Sequence, residues 1–195
     1  TSAASAPASP PQLLQRPMPA ADGPNEWLAI RVLRPLRPSV FDDAQVVAFY
    51  GHPGIPGMGA LGVYAPQRLA EEVTRVAALY DALNGDRNVI PALHLITSIA
   101  QPRPGANGKY LAFISDEKLR IYVDLAEEHG LLLILDEQIG WSDPLTDVKR
   151  LEWALKLPFV HLALDPEWST RSYGVAPGVM IGTLGAPEVN AVQQY

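Results

Sequence analysis

Four short apolar runs alternate with segments of helical periodicity between residues 45 and 168, and this alternation restricts the possible folds severely. The runs carry Val, Leu and Ile at successive positions, which indicates strands buried on both faces. Strands of this kind, separated by helices, predict a parallel sheet covered by helices. The predicted strands span residues 45–51, 88–100, 131–140 and 159–168.

Three helices are predicted between these strands, over residues 66–85, 115–130 and 143–157. Pro66 suits a first helical turn, and Gly85 suits the position after a helix end. Ser115 is a predicted N-cap, and Gly130 is a predicted stop. In the first helix the predicted apolar stripe contains Leu69, Val73, Val76, Ala77, Tyr80 and Leu83.

Two α/β architectures accommodate this order: a (β/α)8 TIM-type barrel and a doubly wound open sheet. No glycine-rich phosphate fingerprint follows any predicted strand, and polar residues collect at the strand ends, so the pattern favours the barrel and indicates no cofactor. A barrel needs eight units and about 250 residues, whereas about four units are visible. We therefore expect a partial barrel domain over residues 26–195, truncated at its C-terminal end, or two copies that complete one another.

Residues 1–25 are rich in Ala, Ser and Pro, which predicts a tether rather than a packed segment. A secreted protein after signal cleavage would begin this way, as would an arbitrary segment of a longer chain. The expectation is an extracellular or cell-surface protein, with a possible lipid anchor upstream. No apolar run reaches the length of a membrane span, which is about 18 residues.

Composition excludes several functions. The formal charge is −6 and no basic patch stands out, so nucleic acid is a poor partner. The chain has no cysteine, which excludes disulfides, thiolate metal sites and cysteine nucleophiles. Neither HxH nor HExxH spacing occurs, so no metal site is expected.

Alternation along the strands sorts the candidate site residues, because every second side chain shares a face. Four positions are predicted to line one layer of the barrel mouth: Tyr50, His94, Asp136 and Asp165. His52 and Gln138 share these faces, Glu167 lies just beyond the fourth strand, and Trp141 and Trp168 follow the third and fourth strands.

Each candidate also has an ordinary structural interpretation. His94 could be a satisfied core histidine, and Asp165 before Pro166 could form a turn. Glu137 is expected on the helix side, paired with a helix residue. His52 lies in a Gly/Pro-rich loop that could shape a pocket. Loop residues on the same side could meet an anion or simply be solvated: Arg103, Lys109 and Arg171.

Carboxylates at the ends of adjacent strands suit glycoside hydrolysis, because like charges raise one pKa and yield an acid and a base. The predicted catalytic residues are Glu167 as general acid, tuned by Asp165 or Asp136. Aromatic side chains would hold sugar rings, so the predicted substrate-binding residues are Tyr50, His52, His94, Gln138, Trp141 and Trp168.

The stretch FVHLALDPEW, followed by PGVMIGTLGAPEVNAVQQY, resembles a family of uncharacterised bacterial secreted proteins or lipoproteins. The resemblance covers roughly residues 45–195. It implies a glycoside-hydrolase-like barrel after an Ala/Ser/Pro-rich tether, with further strands downstream. Asp165 and Glu167 are also similar to the end of the signature of family 18 chitinase-like barrels, although His161 and Ala163 replace its preceding aspartates.

The expected function is a secreted, carbohydrate-active hydrolase that acts on or binds a polysaccharide. The alternative is a non-catalytic protein that binds carbohydrate or cell wall through the same cleft.

Overall fold

A computed structural model describes residues 39–195, in which five strands form one sheet. Four of them are parallel and lie side by side in chain order, and the short β3 pairs antiparallel with the end of β2. The predicted tether 1–25 and residues 26–38 of the predicted domain lie outside this part. The strands are β1 (Ala44–Gly51), β2 (Asn88–Ala100), β3 (Leu111–Phe113), β4 (Leu132–Gln138) and β5 (Val160–Asp165).

Helices follow each parallel strand, so the described chain contains four strand–helix units. The prediction of an α/β fold with a parallel sheet is confirmed, and the sheet is open within residues 39–195. The helices are α1 (Val40–Asp43), α2 (Ala60–Val63), α3 (Pro66–Asp81), α4 (Asp116–His129), α5 (Pro144–Lys149), α6 (Glu152–Leu155) and α7 (Ala186–Gln194).

The helix signals in the sequence are accurate at the capped ends. Ser115 accepts a hydrogen bond from the Lys118 N–H at 3.4 Å, and Gly130 ends α4 with a φ of 64°. Pro66 begins α3 as predicted, but this helix ends at Asp81. The predicted apolar stripe is wrong at its C-terminal end, because Tyr80 is 56% exposed and Leu83 is 88% exposed.

The predicted helix over 143–157 is two helices, α5 and α6, with a break at Arg150 and Leu151. The break lets Leu151 enter the core while Arg150 turns toward the sheet. β3 is absent from the sequence prediction because three residues are too few for alternation to register.

One face of the sheet carries the hydrophobic core. Leu93 and Leu95 of β2 and Leu133 and Leu135 of β4 pack there against buried residues of α3 and α4. The alternate side chains of the same strands point to the opposite face, which we call the polar face. It is defined by Tyr50, His94, Asp136, Gln138, His161 and Asp165.

Candidate functional site

The polar face collects ionisable side chains toward the carboxyl ends of the parallel strands. The strand register pairs Tyr50 with His94 and Asp136 with Ala163. Asp165 pairs with Gln138, two residues beyond Asp136. The predicted single layer is therefore wrong, since the residues step diagonally from strand to strand. Tyr50, His94, Asp136 and Asp165 nevertheless interact, and we call them the carboxylate cluster.

His94 and Asp136 form the central contact of the cluster. His94 Nε2 lies 2.7 Å from Asp136 Oδ2, and the two side chains are 27% and 7% exposed. The second oxygen of Asp136, Oδ1, is buried and has no hydrogen-bond partner within residues 39–195. Buried carboxylate oxygens are normally satisfied, so Oδ1 is positioned to accept a hydrogen bond from a ligand or water.

Tyr50 covers His94 at the rim of the cluster. The two rings meet edge to face with centroids 5.0 Å apart, and Tyr50 is 42% exposed. Partial burial, together with the negative charges of Asp136 and Asp165, raises the pKa of Tyr50 to about 12. Its phenol therefore keeps its proton at neutral pH and can donate a hydrogen bond. Gln138 lies within hydrogen-bonding reach of this hydroxyl and also accepts from the Ala100 N–H at 2.7 Å.

Asp165 is the carboxyl whose environment favours its protonated form. Burial, reinforced by the charges of Asp136 and Glu167, raises the pKa of Asp165 from 3.8 to about 6. The same side chain accepts the Glu167 N–H at 3.3 Å and caps the turn Pro166–Trp168. The turn-forming interpretation of Asp165 is thus confirmed, and it coexists with the contact to the cluster. The Glu167 side chain is exposed on this turn.

His52 has different surroundings from those predicted. β1 ends at Gly51, whose φ of +146° interrupts the strand alternation. His52 is buried, and its Nδ1 lies 3.0 Å from the Pro53 carbonyl oxygen. Burial lowers the pKa of His52, and the charge of Lys118 on α4 adds to this effect. The predicted shared face with Tyr50 therefore does not extend to His52.

The two tryptophans occupy loops beside the cluster. Trp141 Nε1 donates to the Val175 carbonyl at 2.9 Å, and its ring lies 4.8 Å from that of Tyr110. Trp168 is half-buried and its ring approaches Gly178. Trp141 thus supports the loop after β5, and one of its sides lines a cleft that Trp168 does not reach.

Glu137 lies on the core side of β4, as predicted, and is fully buried. It accepts from Thr97 Oγ1 at 2.6 Å and pairs with Arg150 Nη2 at 2.9 Å. Burial raises the pKa of Glu137, while Arg150 and Thr97 act against this shift. The expected helix-side position of Glu137 is confirmed, but its partner Arg150 lies in the break between α5 and α6 rather than in a helix. Glu137 is separate from the cluster.

The contact between His94 and Asp136 is the part of the site that alternation alone misses. Alternation places both residues on one face but does not report the offset between strands, which depends on where each strand begins. A pair of polar residues on neighbouring strands is the signal that was present in the sequence.

Comparisons of this chain with protein-family models, with curated proteins and with solved structures found no match. No group of three or more His, Asp or Glu side chains within residues 39–195 is arranged to hold a metal ion. In the same part of the chain, no helix combines the length and apolar character needed to cross a membrane.

Proposed function

We propose that this protein hydrolyses glycosidic bonds, with Asp165 as the proton donor and Asp136 as its carboxylate partner. The observation that carries the proposal is the pair itself: two carboxyl groups on adjacent strands, at one end of one face. Asp165 is protonated up to about pH 6, while Asp136 is hydrogen-bonded to His94. Different environments for two carboxyls are how such enzymes obtain an acid and a base.

The proposed reaction inverts the anomeric carbon, with one carboxyl as the acid and the other as the base. Inverting enzymes hold their carboxyl groups about 6.5–9.5 Å apart to admit a water, whereas retaining enzymes hold them at about 5–5.5 Å. In this mechanism Asp165 protonates the leaving oxygen. Asp136 removes a proton from the attacking water, and His94 keeps the carboxylate oriented.

The test is polysaccharide hydrolysis by Asp165→Asn and Asp136→Asn, with Asp124→Asn on the exposed surface of α4 as the matched control. Each cluster variant should lose about 10²–10⁴-fold in rate while binding is retained, because general acid–base assistance has this magnitude. The wild-type rate should fall as pH rises through about 6, where Asp165 loses its proton. Full activity in Asp165→Asn would contradict the proposal.

A parallel variant, Glu167→Gln, separates the two candidate donors. Loss of activity in Glu167→Gln, with Asp165→Asn active, would assign the proton donor to Glu167, as the sequence predicts. Absence of turnover on every polysaccharide, with affinity abolished in Trp141→Ala and Trp168→Ala, would favour the non-catalytic carbohydrate-binding alternative.

The proposal also concerns the fold of the complete barrel and the place of the protein relative to the cell. Four parallel strands in chain order, with core-forming helices on one face, support the proposal of a partial (β/α)8 barrel. We propose that a second copy or another polypeptide completes it. The Ala/Ser/Pro-rich residues 1–25 support a location outside the cell or on its surface.

A further inference from the structure

A cleft with a volume of about 390 Å³ lies among the loops that leave the carboxyl ends of β2, β4 and β5. This volume falls in the range typical of small-molecule sites, about 300–1,000 Å³. The cleft is separate in its lining from the carboxylate cluster. Its lining includes Lys109, Trp141, Ser142, Asp143 and Arg171.

The wall of this cleft is held in a constrained backbone conformation. Tyr110 has a φ of +58°, which is uncommon for a residue with a side chain. Gly140 has a φ of +56°, and a Cβ there would lie 2.6 Å from the Lys109 carbonyl oxygen. That oxygen accepts the Trp141 N–H at 2.8 Å. Such strain persists where the surrounding structure imposes it, and it concentrates at ligand sites.

Two carboxylates at the cleft are already engaged within the protein. Asp147, whose side chain is 3% exposed, pairs with Lys109 Nζ at 3.1 Å. Asp143 Oδ2 accepts both the N–H and the hydroxyl of Thr146, at 2.8 and 2.7 Å. These Thr146 bonds lower the pKa of Asp143, and the charges of Lys109 and Lys149 contribute.

The cations that line the cleft are Lys109 and Arg171, and Lys109 is already paired with Asp147. Arg171 is exposed, lines the cleft and has no ion-pair or hydrogen-bond partner for its guanidinium within residues 39–195. A guanidinium in this state presents a planar fork that matches a carboxylate bidentately.

Ser142 is a second, independent observation that points to a polar ligand in this cleft. The residue is 8% exposed and lines the cleft, and its Oγ is buried without a hydrogen-bond partner within residues 39–195. Buried hydroxyls are normally satisfied, so this hydroxyl is suited to bond a polar group that enters the cleft.

We propose that this cleft binds a sugar unit bearing a carboxylate, that is, a hexuronate. Arg171 pairs with the carboxylate, Ser142 bonds a ring hydroxyl and Trp141 forms the apolar wall. The unpaired guanidinium of Arg171 can bind a carboxylate through two parallel hydrogen bonds. The inference rests on the proposed carbohydrate function and specifies an acidic polysaccharide as the substrate class.

The test compares galacturonic acid with its methyl ester, which has the same shape without the charge. Binding to the full chain is measured by NMR titration, and neither monosaccharide can be hydrolysed at a glycosidic bond. The acid should bind about 10–100-fold more tightly than the ester, because the free energy of a hydrogen bond to a charged group corresponds to a change in affinity of this size. Arg171→Gln should remove the difference, and Arg103→Gln, in a nearby exposed loop, should preserve it.

Equal affinities for acid and ester, or an unchanged preference in Arg171→Gln, would overturn the inference. Tighter binding of inorganic phosphate at the same residues would overturn the assignment to a carboxylate. The outcome is independent of turnover. Preference for the acid without Asp165-dependent hydrolysis would support this inference and contradict the proposed function. Asp165-dependent hydrolysis without preference for the acid would support the proposed function and contradict this inference.

Discussion

Asp136 and Asp165 show how neighbouring residues of one type acquire different properties from their surroundings. Asp136 is hydrogen-bonded to His94, whereas Asp165 is partly buried and lies near two other carboxylates. The pKa of Asp165, about 6, has a consequence for stability as well as for chemistry, because the same shift links folding to proton binding.

We predict that Asp165→Asn raises the free energy of unfolding above pH 6. The folded state keeps the Asp165 proton up to about pH 6, whereas the unfolded chain loses it near 3.8. The folded state therefore binds more protons between these values, and wild-type stability falls as pH rises through this window. Allowing for solvent screening of a half-buried group, the gain at pH 7.5 is about 1 kcal/mol.

Urea denaturation at pH 7.5 and pH 4 measures this effect, with Asp124→Asn as the control. Stabilisation should appear at the higher pH and largely vanish at the lower one. An equal effect of Asp165→Asn at both pH values would contradict the assigned environment of Asp165.

The segment between β1 and α3 is an element whose path depends on close backbone contacts. Gly51 and Gly59 form an isolated bridge, and a Cβ on either would collide with backbone atoms. Gly62 in α2 packs so closely on the Ile55 backbone that a Cβ would lie 2.0 Å from its carbonyl oxygen. These approaches fix the loop that carries His52.

We predict that Gly62→Ala destabilises the protein by about 2–3 kcal/mol, because backbone atoms cannot move aside as a flexible side chain would. Gly57→Ala, in the same loop, places its Cβ in open space and should change stability by less than about 0.5 kcal/mol. Thermal or urea unfolding of both variants measures the difference. Similar stabilities for the two would show that the loop accommodates the methyl group.

At the scale of elements, capped helices were predictable and the irregular ones were not. Ser115 and Gly130 mark α4 by local chemistry that needs no tertiary contact. The break between α5 and α6 instead follows from Leu151 entering the core, a tertiary effect. The candidate site was predictable by face, through strand alternation, but not by register or by the turn of the chain at Gly51.

At the scale of the molecule, the sheet within residues 39–195 has two outer strands with one side each unpaired. Within residues 39–195, β1 pairs laterally with β2, apart from its bridge to Gly59, and β5 pairs with β4. Unpaired strand edges favour association with another strand.

We predict that the protein self-associates through these edges and that Ala48→Lys, at an exposed position of β1, shifts it toward the monomer of 21.1 kDa. A lysine on an edge strand opposes strand addition by charge and solvation. Ala78→Lys, on the exposed surface of α3, is the matched control and should leave association unchanged. Light scattering that reports a stable wild-type monomer would contradict the prediction.

The length of β2 gives residues 101–110 a distinctive place. β2 extends beyond the end of β1, and its last three residues pair with β3. Both ends of the segment 101–110 are therefore held by paired strands. A loop with its ends anchored in this way can vary in length at little entropic cost. Within this segment Lys109 lines the cleft, whereas Arg103 does not. Ligand preference can diverge there between related sequences without disturbing the strands that build the core.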